Sequence, residues 1–197
     1  MEEERYEIRL GGSGGQGIIL AAVILAEAAG LHGDNHVCQT QSYGPEARGG
    51  KSKAEVVISS REIDYPKVIR MDLFLAMNQA SLDAYFYDFK PNGLLVVDAT
   101  FVKQTPTSRA IAIPFTRIAR EQFEQEMVAN VVALGALAHL CPRVEEAHLL
   151  EAVLARVPPH TQTLNREAFA AGLAAAQKIK LENLPRSIVP DQEEQEI

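Results

Sequence analysis

The chain has 197 residues, of which 47% are apolar and 23% are charged, and its formal net charge is −7 at pH 7. This length supports one sizeable hydrophobic core and is short for two, so we expect a single compact domain. The acidic excess argues against a protein that binds nucleic acid or an anionic membrane surface through its overall charge.

The first sixty residues predict strands and one helix around a glycine cluster. Polar and apolar side chains alternate before residues 11–17, which are rich in glycine, so a strand should end there in a tight turn. The following segment is rich in Ala and Leu, which favour helix, and Gly30 and Gly33 are suitable stop signals. Residues 41–53 contain three glycines and a proline and predict an exposed loop. The predicted elements are a strand at 5–10, a helix at 18–30, and strands at 35–40 and 54–59.

The middle of the chain predicts more of the same sheet. Residues 72–77 and 93–97 are compact apolar runs with polar flanks, which is typical of strands buried on both faces. Asn78 is a suitable cap for a helix that extends to about Phe89. A strand at 110–113 completes an order close to β-α-β-β-α-β, which predicts an α/β fold, a Rossmann-like layered domain with a largely parallel sheet.

The last third of the chain has helical periodicity, so we expect a helical C-terminal third that covers the sheet. The predicted helices are at 115–123, 127–140, 144–157 and 165–180. Acidic residues crowd the end of the chain after Pro185 and Pro190, which favours a solvated tail or an arm that docks on a partner. We therefore expect one domain at residues 1–180 and an acidic C-terminal tail at 181–197.

Apolar segments and cysteines add further exclusions. The longest apolar segments, 18–26 and 128–140, fall short of the roughly 18 residues that a membrane-spanning helix needs, and the acidic first seven residues do not resemble a signal peptide. Cys38 and Cys141, the only cysteines, cannot by themselves hold an iron–sulfur cluster or a structural zinc. We expect a cytoplasmic protein with reduced thiols, in which any redox metal belongs to a partner.

The glycine cluster fits a phosphate-binding pattern. Gly12-Ser13-Gly14-Gly15-Gln16-Gly17 matches G-x-G-x-x-G between a predicted strand and a predicted helix. Glycines let the backbone turn sharply and approach a phosphate, whose charge the N–H groups and the helix dipole then stabilise. The alternative is that these glycines only permit close packing of the strand against the helix.

One dinucleotide-binding signal is missing. An NAD site needs an Asp or Glu after the second strand, about 20 residues beyond the glycines, to accept hydrogen bonds from the ribose. This sequence has Cys38, Gln39, Thr40 and Gln41 there. A self-contained NAD-dependent dehydrogenase is therefore the weaker interpretation of the glycine loop.

A second segment, residues 42–53, carries three cations in an otherwise acidic chain. Arg48 offers a planar fork for phosphate, Lys51 and Lys53 offer point charges, and the glycines beside them bare the backbone. In a doubly wound fold this loop would leave the second strand beside the glycine turn, so that both loops grip one polyphosphate ligand. The alternative is a flexible loop whose charges are simply solvated.

Together these segments resemble a known family. GGSGGQGI at 11–18, SYGPEARGG at 42–50, the N-x-x-A-L-G pattern from Asn130 and the N-x-x-A-F-x-x-G pattern from Asn165 are similar to the gamma subunit, or gamma domain, of 2-oxoacid:ferredoxin oxidoreductases. The resemblance spans roughly residues 6–180, with the motifs in the expected order.

The resemblance implies an enzyme that oxidatively decarboxylates a 2-oxoacid with coenzyme A and passes the electrons to ferredoxin. It places thiamine diphosphate with Mg on alpha and beta subunits and iron–sulfur clusters on a delta subunit, whereas the gamma subunit is associated with coenzyme A. It does not decide among pyruvate, 2-oxoglutarate, ketoisovalerate and aryl pyruvates. This chain then has no catalytic residue or metal site of its own. A subunit that serves assembly alone is a further alternative.

Coenzyme A carries a diphosphate and a 3′-phosphate, which are anions that the two loops suit. Tyr43 is a candidate to stack on the adenine ring, and the equal alternative is that it packs against the turn. The expected coenzyme A contacts are therefore Gly12, Ser13, Gly14, Gly15, Gln16 and Gly17 in the first loop and Tyr43, Arg48, Gly49, Gly50 and Lys51 in the second.

Overall fold

The computed structural model describes residues 5–31, 35–43 and 51–185, in which six strands form one sheet and six helices pack around it. The strands are β1 (Arg5–Ser13), β2 (His36–Tyr43), β3 (Lys51–Ser59), β4 (Met71–Ala76), β5 (Phe89–Asp98) and β6 (Ala110–Ile113). The helices are α1 (Ile18–Leu31), α2 (Gln79–Tyr85), α3 (Phe115–Phe123), α4 (Ala129–Leu140), α5 (Glu146–Arg156) and α6 (Gln162–Ala176). None of the helices in these ranges is long and apolar enough to cross a membrane.

The sheet is mixed, and its strand order is β2-β3-β1-β4-β5-β6. Strands β1, β4, β5 and β6 are parallel neighbours, whereas β3 is antiparallel to both β1 and β2. All strands except β3 therefore point the same way, which confirms the predicted α/β fold with a largely parallel sheet. The hairpin of β2 and β3 is the departure from a doubly wound order, because β3 takes the place beside β1.

The two faces of the sheet are covered unequally. Side chains of α1, α3, α4, α5 and α6 pack on one face, in a core with the inward residues of β1, β3, β4, β5 and β6. The other face carries a smaller core with Leu82 of α2 and with Val68 and Val102 from connecting segments. The helical last third therefore covers the sheet as predicted, and it does so on one side.

Several predicted boundaries are wrong, including the start of β5 and the end of α6. Residues 41–43 and 51–53 belong to strands rather than to the predicted loop, because backbone pairing continues from Ser13↔Lys51 in β1 and β3 and across to β2. The predicted helix after Asn78 ends at Tyr85 and does not reach Phe89, which begins β5. Asp88 has a φ of 64°, and this left-handed residue turns the chain from α2 into the sheet.

Helices α4 and α6 are in backbone contact through the glycines of the two C-terminal motifs. A Cβ on Gly135 would lie 1.9 Å from the carbonyl oxygen of Phe169, and a Cβ on Gly172 would lie 1.8 Å from that of Val132. No side chain fits at these distances, so both positions require glycine for the helices to cross as they do. The motifs that carry the family resemblance are therefore, in this part, packing motifs.

We predict that Gly172→Ala lowers the free energy of unfolding by about 3 kcal/mol, because the helices must separate to admit the methyl group. The matched control is Gly30→Ala in α1, where the added Cβ would lie an ordinary 3.5 Å from Cγ2 of Val37. That change should stabilise the protein by about 0.5 kcal/mol through helix propensity. Urea unfolding of both variants tests the pair, and equal effects would contradict the packing role of Gly172.

Candidate functional site

The glycine turn joins the end of β1 to the start of α1. The N–H of Gln16 donates to the carbonyl of Ser13 at 3.1 Å, which closes the turn, and Gly15 and Gly17 have φ values of 95° and 69°. Residues with a side chain rarely adopt such backbone angles, so the shape of the turn requires these two glycines. Gly12 is required for another reason, since a Cβ there would lie 2.8 Å from Cγ2 of Ile18.

The side chain of Gln16 ties this turn to the end of β4. Its Oε1 accepts hydrogen bonds from the backbone N–H of Ser13 at 2.8 Å, from the Ser13 hydroxyl at 3.0 Å and from Nδ2 of Asn78 at 3.2 Å. Its Nε2 donates to the carbonyl of Met77 at 3.2 Å. The polar atoms of Gln16 are thus engaged within the chain, in the loop that the sequence predicts to hold a ligand.

Helix α4 supports the same turn from the other side. Asn130 at its start is buried, and its Nδ2 donates to the carbonyl of Gly17 at 3.4 Å. A Cβ on Gly17 would lie 2.5 Å from that nitrogen, so the glycine admits the asparagine. The first residue of the N-x-x-A-L-G motif therefore contacts the glycine motif directly, although more than a hundred residues separate them.

A cavity of about 340 Å³ opens at this turn. It lies at the carboxyl ends of β1 and β4, where the chain leaves β1 toward one edge of the sheet and leaves β4 toward the other. Ligands of open α/β sheets bind at such switch points. The cavity is lined by Ser13, Gly14, Gly15, Gln16, Met77, Phe101, Thr116, Glu126, Met127 and Ala129.

The carboxylates near the cavity are paired. Glu126, in the 3-10 turn Glu126–Val128, bonds the guanidinium of Arg120 at 2.8 and 2.9 Å. Asp98, fully buried at the end of β5, accepts hydrogen bonds from the backbone N–H and hydroxyl of Thr116. The ion pair of Glu126 with Arg120 reduces the repulsion that an anionic ligand would meet, and the first turn of α1 leaves N–H groups without intrahelical acceptors.

The predicted residues are only partly brought together. Ser13, Gly14, Gly15 and Gln16 line the cavity, while Gly12 and Gly17 shape the turn behind it. Lys51 pairs with Ser13 at the same end of the sheet, one strand away and outside the cavity lining, and its side chain is exposed.

Tyr43 pairs with Ser52 at the end of β2 and lies two strands from the glycine turn, so the part of the second segment that lies beside the turn, as predicted, is its Lys51 end. The reason differs from the one expected, because the hairpin returns through β3 rather than placing β2 next to β1. Arg48, Gly49 and Gly50 lie outside the described residues.

Lys53, the third cation of this segment, is engaged in contacts within the chain. Nζ of Lys53 lies 3.1 Å from Glu55 and 5.7 Å from the ring centre of Tyr85. The buried Arg9 bonds the same carboxylate at 2.8 Å and donates to the carbonyl of Tyr85. Burial raises the pKa of Tyr85, and the positive charge of Arg9 lowers it by a smaller amount. This network fastens α2 to the sheet and makes Lys53 a structural residue.

Several cavity residues have no counterpart in the sequence-based prediction. They come from segments after β4 and β5 and from the starts of α3 and α4, namely Met77, Phe101, Thr116, Glu126, Met127 and Ala129. The only sequence signal for these residues is that they follow strands whose ends meet at the same edge of the sheet. The sequence marks Asn130 only as the first residue of a family motif, and it predicts Asn78 only as a helix cap.

The position expected of a ribose-binding acid is not next to the turn. Strand β3 separates β2 from β1, so residues Cys38 to Gln41 lie two strands from Ser13. Within the described ranges, no group of three or more His, Cys, Asp and Glu side chains is placed to hold a metal ion.

Comparisons with known proteins agree on one family. The family model described as pyruvate ferredoxin/flavodoxin oxidoreductase matches residues 7–175. The 2-oxoglutarate synthase subunit KorC of Methanocaldococcus jannaschii is 46% identical over 179 residues, which cover 89% of this chain and 96% of that protein.

Solved structures have the same fold. The gamma subunit of a keto/oxoacid ferredoxin oxidoreductase from Geobacter sulfurreducens superimposes with a TM-score of 0.81 at 43% identity, covering 88% of this chain and 97% of that one. A 2-oxoglutarate:ferredoxin oxidoreductase from Magnetococcus marinus, with 2-oxoglutarate, coenzyme A and succinyl-CoA bound, has a TM-score of 0.80 at 27% identity. That match covers 91% of this chain and 32% of the longer chain.

We predict that Gly15→Ala lowers the free energy of unfolding by about 1 kcal/mol, because an alanine is strained at positive φ but its methyl group would meet open space. Gly17→Ala should cost about 3 kcal/mol, because it adds a collision with Asn130 to the same strain. Urea unfolding measures both. In an Asn130→Ala background the excess at Gly17 should disappear, and its persistence would show that Asn130 is not its cause.

Proposed function

Because this chain belongs to the pyruvate ferredoxin/flavodoxin oxidoreductase family and is a gamma subunit of a 2-oxoacid:ferredoxin oxidoreductase, we propose that its glycine turn contributes to binding coenzyme A. The observation that carries the proposal is the cavity at the ends of β1 and β4, with the turn as one wall. A phosphate-bearing ligand is the class that such a turn and the start of α1 suit.

The donor set fits part of coenzyme A. At about 340 Å³ the cavity is near the lower end of small-molecule sites, so it suits a segment of the ligand rather than all of it. Backbone N–H groups of the turn and of the first turn of α1 suit a diphosphate, and Met77, Phe101 and Met127 offer apolar contact. When bound, coenzyme A supplies the thiol that accepts the acyl group. Lys51 is proposed as a positive charge near the ligand, and Tyr43, Arg48, Gly49 and Gly50 stay predicted contacts.

We further propose 2-oxoglutarate as the substrate of the assembled enzyme. The supporting evidence is the 46% identity to a subunit of a 2-oxoglutarate synthase and the likeness to an enzyme with 2-oxoglutarate bound. Partner subunits of the alpha, beta and delta types then carry thiamine diphosphate, Mg and the iron–sulfur clusters, with ferredoxin as acceptor. The division into a domain at 1–180 and an acidic tail at 181–197, and a cytoplasmic location, belong to the same proposal.

The other functions have less support. No comparison favours a separate NAD-dependent dehydrogenase, and β3 occupies the place beside β1 that such a site would give to β2. If this chain serves assembly alone, substitutions in the cavity should leave the affinity of the enzyme for coenzyme A unchanged.

Met127 offers a direct test, because its side chain lines the cavity and is 86% exposed, so substitutions there should not disturb folding. We predict that the anaerobically purified holoenzyme with Met127→Glu binds coenzyme A about fivefold more weakly than the holoenzyme with Met127→Gln. The two side chains have the same shape and differ in charge, and the difference should shrink as salt is raised. Equal affinities in isothermal titration calorimetry would contradict coenzyme A binding at this cavity.

The substrate proposal has its own measurement. The holoenzyme, assayed for coenzyme A-dependent reduction of ferredoxin, should act on 2-oxoglutarate at a kcat/KM at least about tenfold above those for pyruvate and 2-ketoisovalerate, a difference of about 1.4 kcal/mol in transition-state binding. A preference for another 2-oxoacid would overturn the substrate assignment and leave the subunit assignment intact.

A further inference from the structure

Three hydrogen-bond donors converge on one point in the glycine turn. They are the backbone N–H of Ser13, the hydroxyl of Ser13 and the amide nitrogen of Asn78, and all three donate to Oε1 of Gln16 at 2.8 to 3.2 Å. A carboxamide oxygen therefore fills a position that is built to receive an oxygen atom.

The orientation of each amide follows from backbone groups. Oδ1 of Asn78 accepts from the N–H of Ser81 at 2.8 Å as the cap of α2, so its Nδ2 must face Gln16. Oxygen is then the only atom of the Gln16 amide that can meet the N–H groups of Ser13 and Asn78. The remaining atom, Nε2, bonds the carbonyl of Met77.

The side chain that occupies this position is accessible from the cavity. Gln16 is only partly buried and lines the cavity together with Ser13, while Asn78 bonds Gln16 from outside the cavity lining. A neutral amide oxygen makes weaker hydrogen bonds than an anionic oxygen does with the same donors. An oxyanion at the position would therefore accept stronger hydrogen bonds from these donors than the carboxamide oxygen does.

We propose that Gln16 closes this oxygen site in the free protein and gives it up to a phosphate oxygen of the bound ligand. On binding, the oxyanion accepts the hydrogen bonds of Ser13 and Asn78, and the Gln16 side chain leaves both them and the Met77 carbonyl. The inference rests on the proposed function, since it assigns the phosphate of coenzyme A to this point of the cavity.

The exchange has a thermodynamic consequence. While Gln16 occupies the site, a ligand binds only to the fraction of molecules in which the side chain has moved away, which weakens the apparent affinity. Gln16 is then an internal competitor, and its removal strengthens binding. If Gln16 merely shaped the turn, or if it contacted the ligand itself, its removal would weaken binding.

The first experiment compares variants of the full chain by titration with inorganic pyrophosphate and with coenzyme A. Gln16→Ala should bind both about threefold more tightly than the unchanged protein, because the competitor is gone. Asn78→Asp keeps the oxygen that caps α2 and replaces the donor by an acceptor, so it should weaken binding of both about tenfold. Gln39→Ala, a glutamine on β2 that bonds the carbonyl of Thr40, is the matched control and should change nothing.

The second experiment does not require a variant to fold. In the unchanged protein, NMR should detect slow exchange of the Gln16 side-chain amide protons with water, and saturating pyrophosphate should accelerate that exchange and shift the Ser13 amide resonance. Pantetheine, which lacks phosphate, should do neither. Binding of pyrophosphate without these changes, or tighter binding of the unchanged protein than of Gln16→Ala, would overturn the exchange.

The outcomes separate the two proposals. Coenzyme A that binds without moving Gln16 overturns the exchange and leaves the proposed function standing. Pyrophosphate that displaces Gln16 while coenzyme A does not bind supports the oxygen site and overturns its assignment to coenzyme A. Absence of binding by pyrophosphate and coenzyme A alike overturns both.

Discussion

The hydrogen-bonded position of β1 is the constraint on which the fold and the site depend. This strand pairs along its whole length with β3 on one side and from Ile8 to Gly11 with β4 on the other, so its end cannot shift without breaking the ladder with β3. Its last residue, Ser13, therefore enters the glycine turn from a fixed point. The turn in turn fixes the start of α1, and the carbonyl of Gly11 receives the N–H of Met77 at 2.8 Å, which aligns the end of β4 with it. The cavity exists because these two ends are aligned.

Local sequence predicted elements well where composition changes sharply. β6 and α3 have the predicted bounds, since the short apolar run at Ala110–Ile113 and the helix at Phe115–Phe123 are separated by a proline. The glycine motif likewise marked the turn, because positive φ and close packing leave glycine as the fitting residue. The strand ends near Tyr43 and Lys51 could not be predicted in this way. Their residues are polar, and they are strands because β1 and β2 pair with β3 there, which is a long-range effect.

The site was predictable to a smaller extent than the fold. The turn residues were identified, but the opposite wall of the cavity comes from segments far along the chain that carry no shared pattern. Spacing also could not reveal that Gln16 bonds its own loop or that Lys53 bonds Glu55, because both depend on neighbours that only the folded chain supplies. The residues of the family motifs are required for different physical reasons. Gly15 and Gly17 serve the backbone, Asn130 supports the turn, and Gly172 serves a helix crossing.

The central place of β1 also governs when the site forms during synthesis. The ribosome makes β1 and the glycine turn first, yet their partners β3 and β4 are translated later, and the supporting Asn130 later still. A nascent chain that has exposed only its first hundred residues contains β1 to β5 but lacks β6 and the helix α4 that packs against the turn. The N-terminal segment therefore emerges early and becomes a finished binding loop only after most of the chain has left the exit tunnel, so a truncated product would carry the motif without the site.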